Sequence, residues 1–282
     1  MTARTWTGAV DGSFTTIGNW SPSTGCIDDG DELHFTDASS VDVDSDLSNG
    51  SLHVTLFVHE GWTGDIASSG SKLVLGAVSD GSFAARGGRL FLDATITQFT
   101  AEAPAARSGA LEIDGTITTL YVVGCGGSIT VTGGAAMTNL YVLDSPNCVV
   151  TIGASVTGQA FHLVESGTVI NNSAVATGAG NVRLTGNCLY DHRTGAVTLA
   201  ELENPGCRYL DKSSGTLSTL RAIAGLFDGR ENDNLTKTIS AATIAPNSKV
   251  LLNNALKSYV VTAYTNLGGI FIPSVGSSQA LS

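Results

Sequence analysis

Charged and helix-forming residues are scarce in this sequence. Only 14% of its 282 residues are Asp, Glu, Lys or Arg, against about a quarter in an average soluble domain. The Ala/Leu/Glu/Lys/Arg mixture that fills helices is confined to one short run, Leu217 to Phe227. No apolar run approaches the roughly 18 residues that a membrane-spanning helix needs, so no membrane partner is expected. The opening Met1-Thr-Ala-Arg-Thr-Trp6 lacks the basic-then-apolar profile of a secretory signal, which predicts synthesis and folding in a cytoplasm. Basic residues are also few. With 14 Lys and Arg against 25 Asp and Glu the net charge is −11, a poor match for phosphate, and nucleic acid is not an expected partner. The five cysteines (Cys26, Cys125, Cys148, Cys188, Cys207) form no CxxC pair and read as reduced, small apolar fillers. Nucleophile elbows, phosphate loops and HExxH motifs are missing, and no cofactor is expected.

What the chain does hold is 34 glycines, many Thr, Ser, Val and Ile residues, and a 42% hydrophobic fraction. That composition is all-β and can bury a continuous core. The charge is uneven: residues 1–60 contain ten carboxylates and one arginine, a net of −9, leaving −2 for the rest.

The middle of the chain repeats. Ile117-Thr-Thr-Leu-Tyr-Val-Val returns as Met137-Thr-Asn-Leu-Tyr-Val-Leu at an offset of 20. The apolar-plus-Thr position extends through Ile96, Ile117, Met137, Val156, Val175, Val197 and Leu217. A second column pairs apolar residues two apart: Leu73/Leu75, Leu90/Leu92, Leu111/Ile113, Ile129/Val131 and Val150/Ile152, then Val169, Leu189 and Leu210. A third contains Phe99, Leu120, Leu140, Phe161, Val182, Leu202 and Leu220. Residues i and i+2 of a strand share a face, and the Gly, Ser, Asn and Asp clusters between columns are turn formers. Equivalent strands this close in sequence leave no room for a crossover helix, so they must stack in parallel. The reading is a right-handed parallel β-helix, or β-solenoid, of about nine coils of ~20 residues. It spans 51–227 with three short strands per coil, between non-repeating caps at 1–50 and 228–282. The charged run Asp228–Asp233 marks the second boundary, beyond which the apolar strands look out of register with the coils.

The N-terminal block reads Trp6-Thr-Gly8, then Asn19-Trp20, then Gly30-Asp-Glu-Leu-His-Phe35, followed by His53 to Ile66. Over roughly the first 75 residues it resembles the opening of β-helical surface proteins, including phage virion proteins and autotransporter-like bacterial adhesins. The resemblance implies a β-helical virion or surface protein. Without an export signal, it points to a virion protein of a tailed bacteriophage that decorates or cements the capsid surface. Its expected partners are the major capsid protein and other copies of itself, as a trimer. The rivals are a tail fibre or tailspike that binds or degrades host glycans, and an adhesin-like protein. Contacts would come from the ends: Trp6, Trp20, Asp28, Asp29 and Asp31 at one, Tyr259 and Phe271 at the other. Asp42, Asp44 and Asp46 alternate with Val41 and Val43 and are the calcium candidates, set against a plain solvated acidic edge.

Catalysis, if present, would need carboxylates on an outer face. Asp191-His192-Arg193 is the one place where three reactive residue types bunch, and it reads as a charged turn at a coil corner. Asp191, His192 and Glu165 are the candidates for a glycan-active enzyme. A non-enzymatic protein is the expectation.

Overall fold

The computed structural model describes residues 1–85, 87–102, 110–133, 136–173, 179–231, 236–253 and 258–273. It contains strands and one short 3-10 turn at Ile17–Asn19. The strands stack in parallel as a β-solenoid of about ten turns. The repeat is visible directly in the pairing, where Ile117, Leu120, Tyr121 and Val122 lie beside Met137, Leu140, Tyr141 and Val142. Ile129 and Val131 sit between Leu111/Ile113 on one side and Val150/Ile152 on the other. All these inward aliphatics are buried. At ~25 cal/mol per Å² of apolar surface, each core side chain contributes on the order of 2 kcal/mol.

The expected three strands per coil are two. The first and third columns belong to one continuous strand, such as Ile117–Val123, which bends at Thr118 so that Ile117 and Leu120 both face inward. The ladder skips this bend, passing from Ile117↔Met137 to Thr119↔Asn139. Val175 lies outside the described residues.

Two column assignments change. In the third column His162, not Phe161, pairs with Leu140 and faces the core, while Phe161 sits outside against Tyr141 with ring centroids 5.9 Å apart. The next inward residues there are Val182, Ala200 and Leu220, so Leu202 is displaced from that column. In the second column Tyr190 and Tyr209, rather than Leu189 and Leu210, continue Val169 inward. Tyr190 stacks on Tyr209 at 5.4 Å, and Tyr209 in turn on Phe227 at 5.2 Å. A buried Tyr is tolerated where its hydroxyl is bonded, as Tyr190 Oη is to His162 and Asn171.

Stacking does not stop at 227. Thr236–Leu251 lies parallel on Leu217–Asp228, and Ser258–Asn266 and Ile270–Ile272 follow. The register hides in the sequence because Thr236–Leu251 carries one extra residue opposite Ala222–Ala224, a bulge that includes Pro246. At the start of the charged run Asp228 is 2% exposed and accepts from Arg230 Nε at 2.8 Å and Arg208 at 3.2 Å.

The N-terminal end is closed differently. Ala3–Thr5 stacks in parallel on Glu32–His34, and Trp20–Ser21 pairs antiparallel on the outer edge of Thr5–Trp6. Beneath this lid Trp6, Phe14, Trp20, Phe35 and Trp62 form a buried, mostly edge-to-face cluster with centroids 5.2–6.0 Å apart.

Candidate functional site

Three places in the described structure concentrate polar chemistry. The first is an open groove of about 430 Å³ on the outer surface, where successive coils present Gly50, Val74–Gly76, Asp93–Thr95 and Asp114–Thr116. Its floor is glycine because the coils touch there. A Cβ on Gly115 would lie 2.1 Å from the Ala94 carbonyl oxygen. Asp93, within Arg89–Glu102, and Asp114, at the end of Ala110–Asp114, each follow by one residue Leu92 and Ile113, which pair directly. Lys72 Nζ reaches Asp114 Oδ2 at 2.8 Å, Glu112 Oε1 at 2.9 Å and Thr132 Oγ1 at 3.4 Å. Burial opposes the Lys72 charge, but its bonds to Asp114 and Glu112 outweigh that and raise its pKa. Burial, then Asp114, raises that of Asp93. The groove thus offers one lysine-bound carboxylate and one more easily protonated one, with Thr95 and Thr116 beside them, a lining that hydrogen-bonds hydroxyl-rich ligands. Neither Asp93 nor Asp114 stands out in the sequence by itself. Their recurrence one residue after the column pairs Leu90/Leu92 and Leu111/Ile113 was the available signal.

The second place is the interior after Ile152. Asn171 pairs with His192 and His192 with Asp211, so a polar column runs up the core beside Tyr190 and Tyr209. Asn171 Nδ2 donates to Gln159 Oε1 at 2.9 Å and to Tyr190 Oη at 3.0 Å. The Tyr190 hydroxyl proton is therefore free for His162 Nδ1, 2.8 Å away, which leaves the proton of His162 on Nε2. His192 Nε2 donates to the Gly195 carbonyl at 3.1 Å. Higher up, Lys237 Nζ bonds Asp211 Oδ1 at 2.6 Å and Ser213 Oγ at 2.7 Å, and Tyr259 Oη donates to Asp211 Oδ2 at 3.3 Å. Burial drives both imidazoles to the neutral form. His162 is lowered to about 3, with His192 adding to the effect, and His192 to about 4.

This geometry relocates the catalytic candidates. Asp191 and His192 lie in the strand Cys188–His192, not in a corner turn, and alternate between its faces. His192 is inside at 1% exposure; Asp191 is outside but covered by Arg193 and Lys212. Glu165 is exposed, after the strand Phe161–Val164, in the other stack of strands. The three do not converge on one surface.

The third place is the pair of ends. Trp6 and Trp20 are interior, as is Tyr259, so none offers a contact surface. Asp31 is buried too, 2.6 Å from Arg4 Nε. Burial pushes its pKa up, but the Arg4 bond and two backbone amides more than offset this. Arg4 also donates to the Pro22, Thr24 and Cys26 carbonyls, which fastens the lid. Asp28 and Asp29 remain exposed, and Asp29 accepts from the His53 amide. Phe271 is half-buried against Tyr264 at 5.1 Å. Asp42 and Asp46 are engaged separately, with the Asp65 amide and the Ser13 hydroxyl. Asp46 has φ +50°, which breaks the alternation. No group of three or more metal-ligating residues forms among the described residues, so Asp42, Asp44 and Asp46 do not make a calcium cage here.

Comparisons with known proteins returned no matching family model, no matching curated protein and no matching solved structure.

Proposed function

We propose that this chain is a structural protein of a tailed-bacteriophage virion, a rigid rod that decorates or cements the capsid surface and assembles with copies of itself through its C-terminal end. The observation that carries the reading is the difference between the two ends. The N-terminal end is roofed by an antiparallel strand over an aromatic cluster, which hides its strand edge. The C-terminal coil instead ends in Ser258–Asn266 and Ile270–Ile272, each paired on one side only among the described residues. Leu267, Ile270 and Ile272 are 59%, 53% and 38% exposed there. Strand edges with exposed apolar side chains associate readily. Charge favours the same end for self-association: residues 228–282 contain three carboxylates and four Lys or Arg, whereas residues 1–60 carry a net of −9 and repel one another.

Sedimentation tests the assembly. The full chain should run as an oligomer, and Ile270→Lys with Ile272→Lys should return it to monomer with its circular dichroism unchanged; a monomeric parent sinks the assembly claim. Copy counting tests the location. A decoration protein should match the major capsid protein in order of abundance, and particles stripped of it should burst at lower temperature.

The outer groove favours a second reading, a tail protein that binds host glycans through Asp93, Asp114 and Lys72. Glycan binding that is lost on Asp93→Asn with the melting temperature unchanged would favour it over decoration.

A further inference from the structure

Two of the five histidines meet on the outer face of the first coils. Glu32–Phe35 pairs in parallel with Ser48–Val58, which sets His34 beside Phe57 and Phe35 beside Val58. His59 follows that second strand by one residue, and its amide donates to the Phe35 carbonyl at 2.8 Å, carrying the ladder one step further. Alternation puts His34, Phe57 and His59 on the outward side, opposite the buried Leu33, Phe35, Leu56 and Val58. The His34 ring lies nearly parallel to Phe57 at 5.1 Å and to His59 at 5.2 Å, so the three rings brace one another. His34 is half-buried and His59 is exposed.

The nitrogens of this pair converge. His34 Nδ1 and His59 Nε2 are 3.0 Å apart, a spacing at which one of them carries the proton that both share. Glu32 Oε2 stands 3.7 Å from the other nitrogen of His34, Nε2. That is too long for a hydrogen bond, but the carboxylate still favours a proton on Nε2, which leaves Nδ1 as the acceptor and His59 Nε2 as the donor. The same spacing suits a second use. With metal–nitrogen bonds of about 2.1 Å, two ligands at right angles lie about 3.0 Å apart, whereas tetrahedral ligands lie about 3.4 Å apart. His59 has only to move its proton to Nδ1 for two lone pairs to face one ion, and its exposed ring is free to turn towards it.

We infer that His34 and His59 form a chelating site for a divalent first-row transition-metal ion that takes ligands at right angles, Ni(II) or Cu(II), bound through His34 Nδ1 and His59 Nε2. No group of three or more metal-ligating residues forms among the described residues, so water takes the remaining positions of the ion. Imidazole suits these metals, while calcium and magnesium take oxygen ligands and have no claim on the pair. Ala3–Thr5 stacks on the far side of Glu32–His34, so the ion joins the roofed N-terminal coil to the one above it. The two histidines are 25 positions apart in the chain and are held at chelating distance by the folded ladder, so binding stabilises the fold. This site is independent of the virion reading and goes beyond it.

The test titrates the untagged full chain with nickel chloride in a calorimeter. The expected result is one ion per chain, with affinity lowered on the order of 100-fold by His59→Asn and by His34→Gln, because each leaves a single ligand. His53→Asn, which removes an exposed histidine outside the pair, should bind as the parent does, and calcium chloride should give no heat. At about 100 times its dissociation constant, nickel should raise the melting temperature by roughly 4–8 °C, and the rise should vanish in His59→Asn. His59 is exposed, so that variant should keep the metal-free melting temperature of the parent; if His34→Gln does not fold, His59→Asn decides alone. Three results overturn the inference: no heat with nickel at millimolar concentration, equal nickel binding by His59→Asn, or displacement of nickel by calcium, which would place the ion on the carboxylates of the acidic end.

Discussion

The solenoid has two interiors. From Val43 to Ile152 the inward columns are apolar, chiefly Leu, Ile, Val and Phe, while from Gln159 onward the same columns admit His162, Asn171, Tyr190, His192, Tyr209, Asp211 and Lys237. Backbone stacking is the same throughout, so the ladder tolerates either filling and side chains decide how each half responds to its surroundings. The dry half depends on volume. The polar half depends on every donor finding an acceptor, and a partly satisfied network is costly. His162 Nε2, His192 Nδ1 and Tyr209 Oη have no protein partner among the described residues.

Acid should separate the halves most sharply. Both buried histidines titrate below their ordinary value of 6.5, His162 at about 3 and His192 at about 4. Between those values and 6.5 the unfolded chain binds protons that the folded chain does not. Stability is therefore complete above pH 6.5 and falls as the pH drops, by about 1.4 kcal/mol per pH unit for each histidine, or roughly 5 kcal/mol by pH 4.5. Urea melts from pH 7 to 4.5 measure this, and His192→Leu should about halve the slope. The depressed carboxyls of Asp31 and Asp228 add their loss only at still lower pH.

Next in size is the ion pair. Lys237→Met leaves Asp211 buried without its cation and should cost about 3–5 kcal/mol, whereas Lys237→Met with Asp211→Leu should recover most of that. A double variant as unstable as the single one would mean that the pair supplies more than mutual neutralisation. In the dry half Leu120→Ala should cost about 2–5 kcal/mol through the cavity it opens, with no change in the pH profile. Thermal melts at pH 7 and pH 5 check both points. Smallest is the surface pair Arg183–Glu203, at 2.7 Å between side chains 47% and 25% exposed. Glu203→Gln should shift stability by less than about 1 kcal/mol, and less again in high salt.

The dry half was the legible half. Period-2 alternation of aliphatics identifies the buried face, and residue identity at an offset of 20 locates the strand pairs, because a parallel stack puts equivalent residues side by side. Legibility ends where that alternation becomes polar. At Cys188-Leu-Tyr-Asp-His192 the apolar Leu189 is outside and Tyr190 and His192 are inside, an inversion in which Asn171 and His162 of the preceding coil meet the Tyr190 hydroxyl and the Gly195 carbonyl, three residues on, meets His192 Nε2. It ends again at Pro246, where one bulged residue hides a register that ten residue pairs establish. The groove was missed because Asp93 and Asp114 are one coil apart and act together only once the coils stack.

By itself, then, the sequence determined the class of fold, the period and the dry core, since these follow from local alternation and from glycine-rich corners. The tertiary structure decided which tryptophans and carboxylates are interior, where the polar column runs and which histidines meet. Those are relations between residues about 20 or more positions apart, and only the stacking of coils brings their side chains into contact.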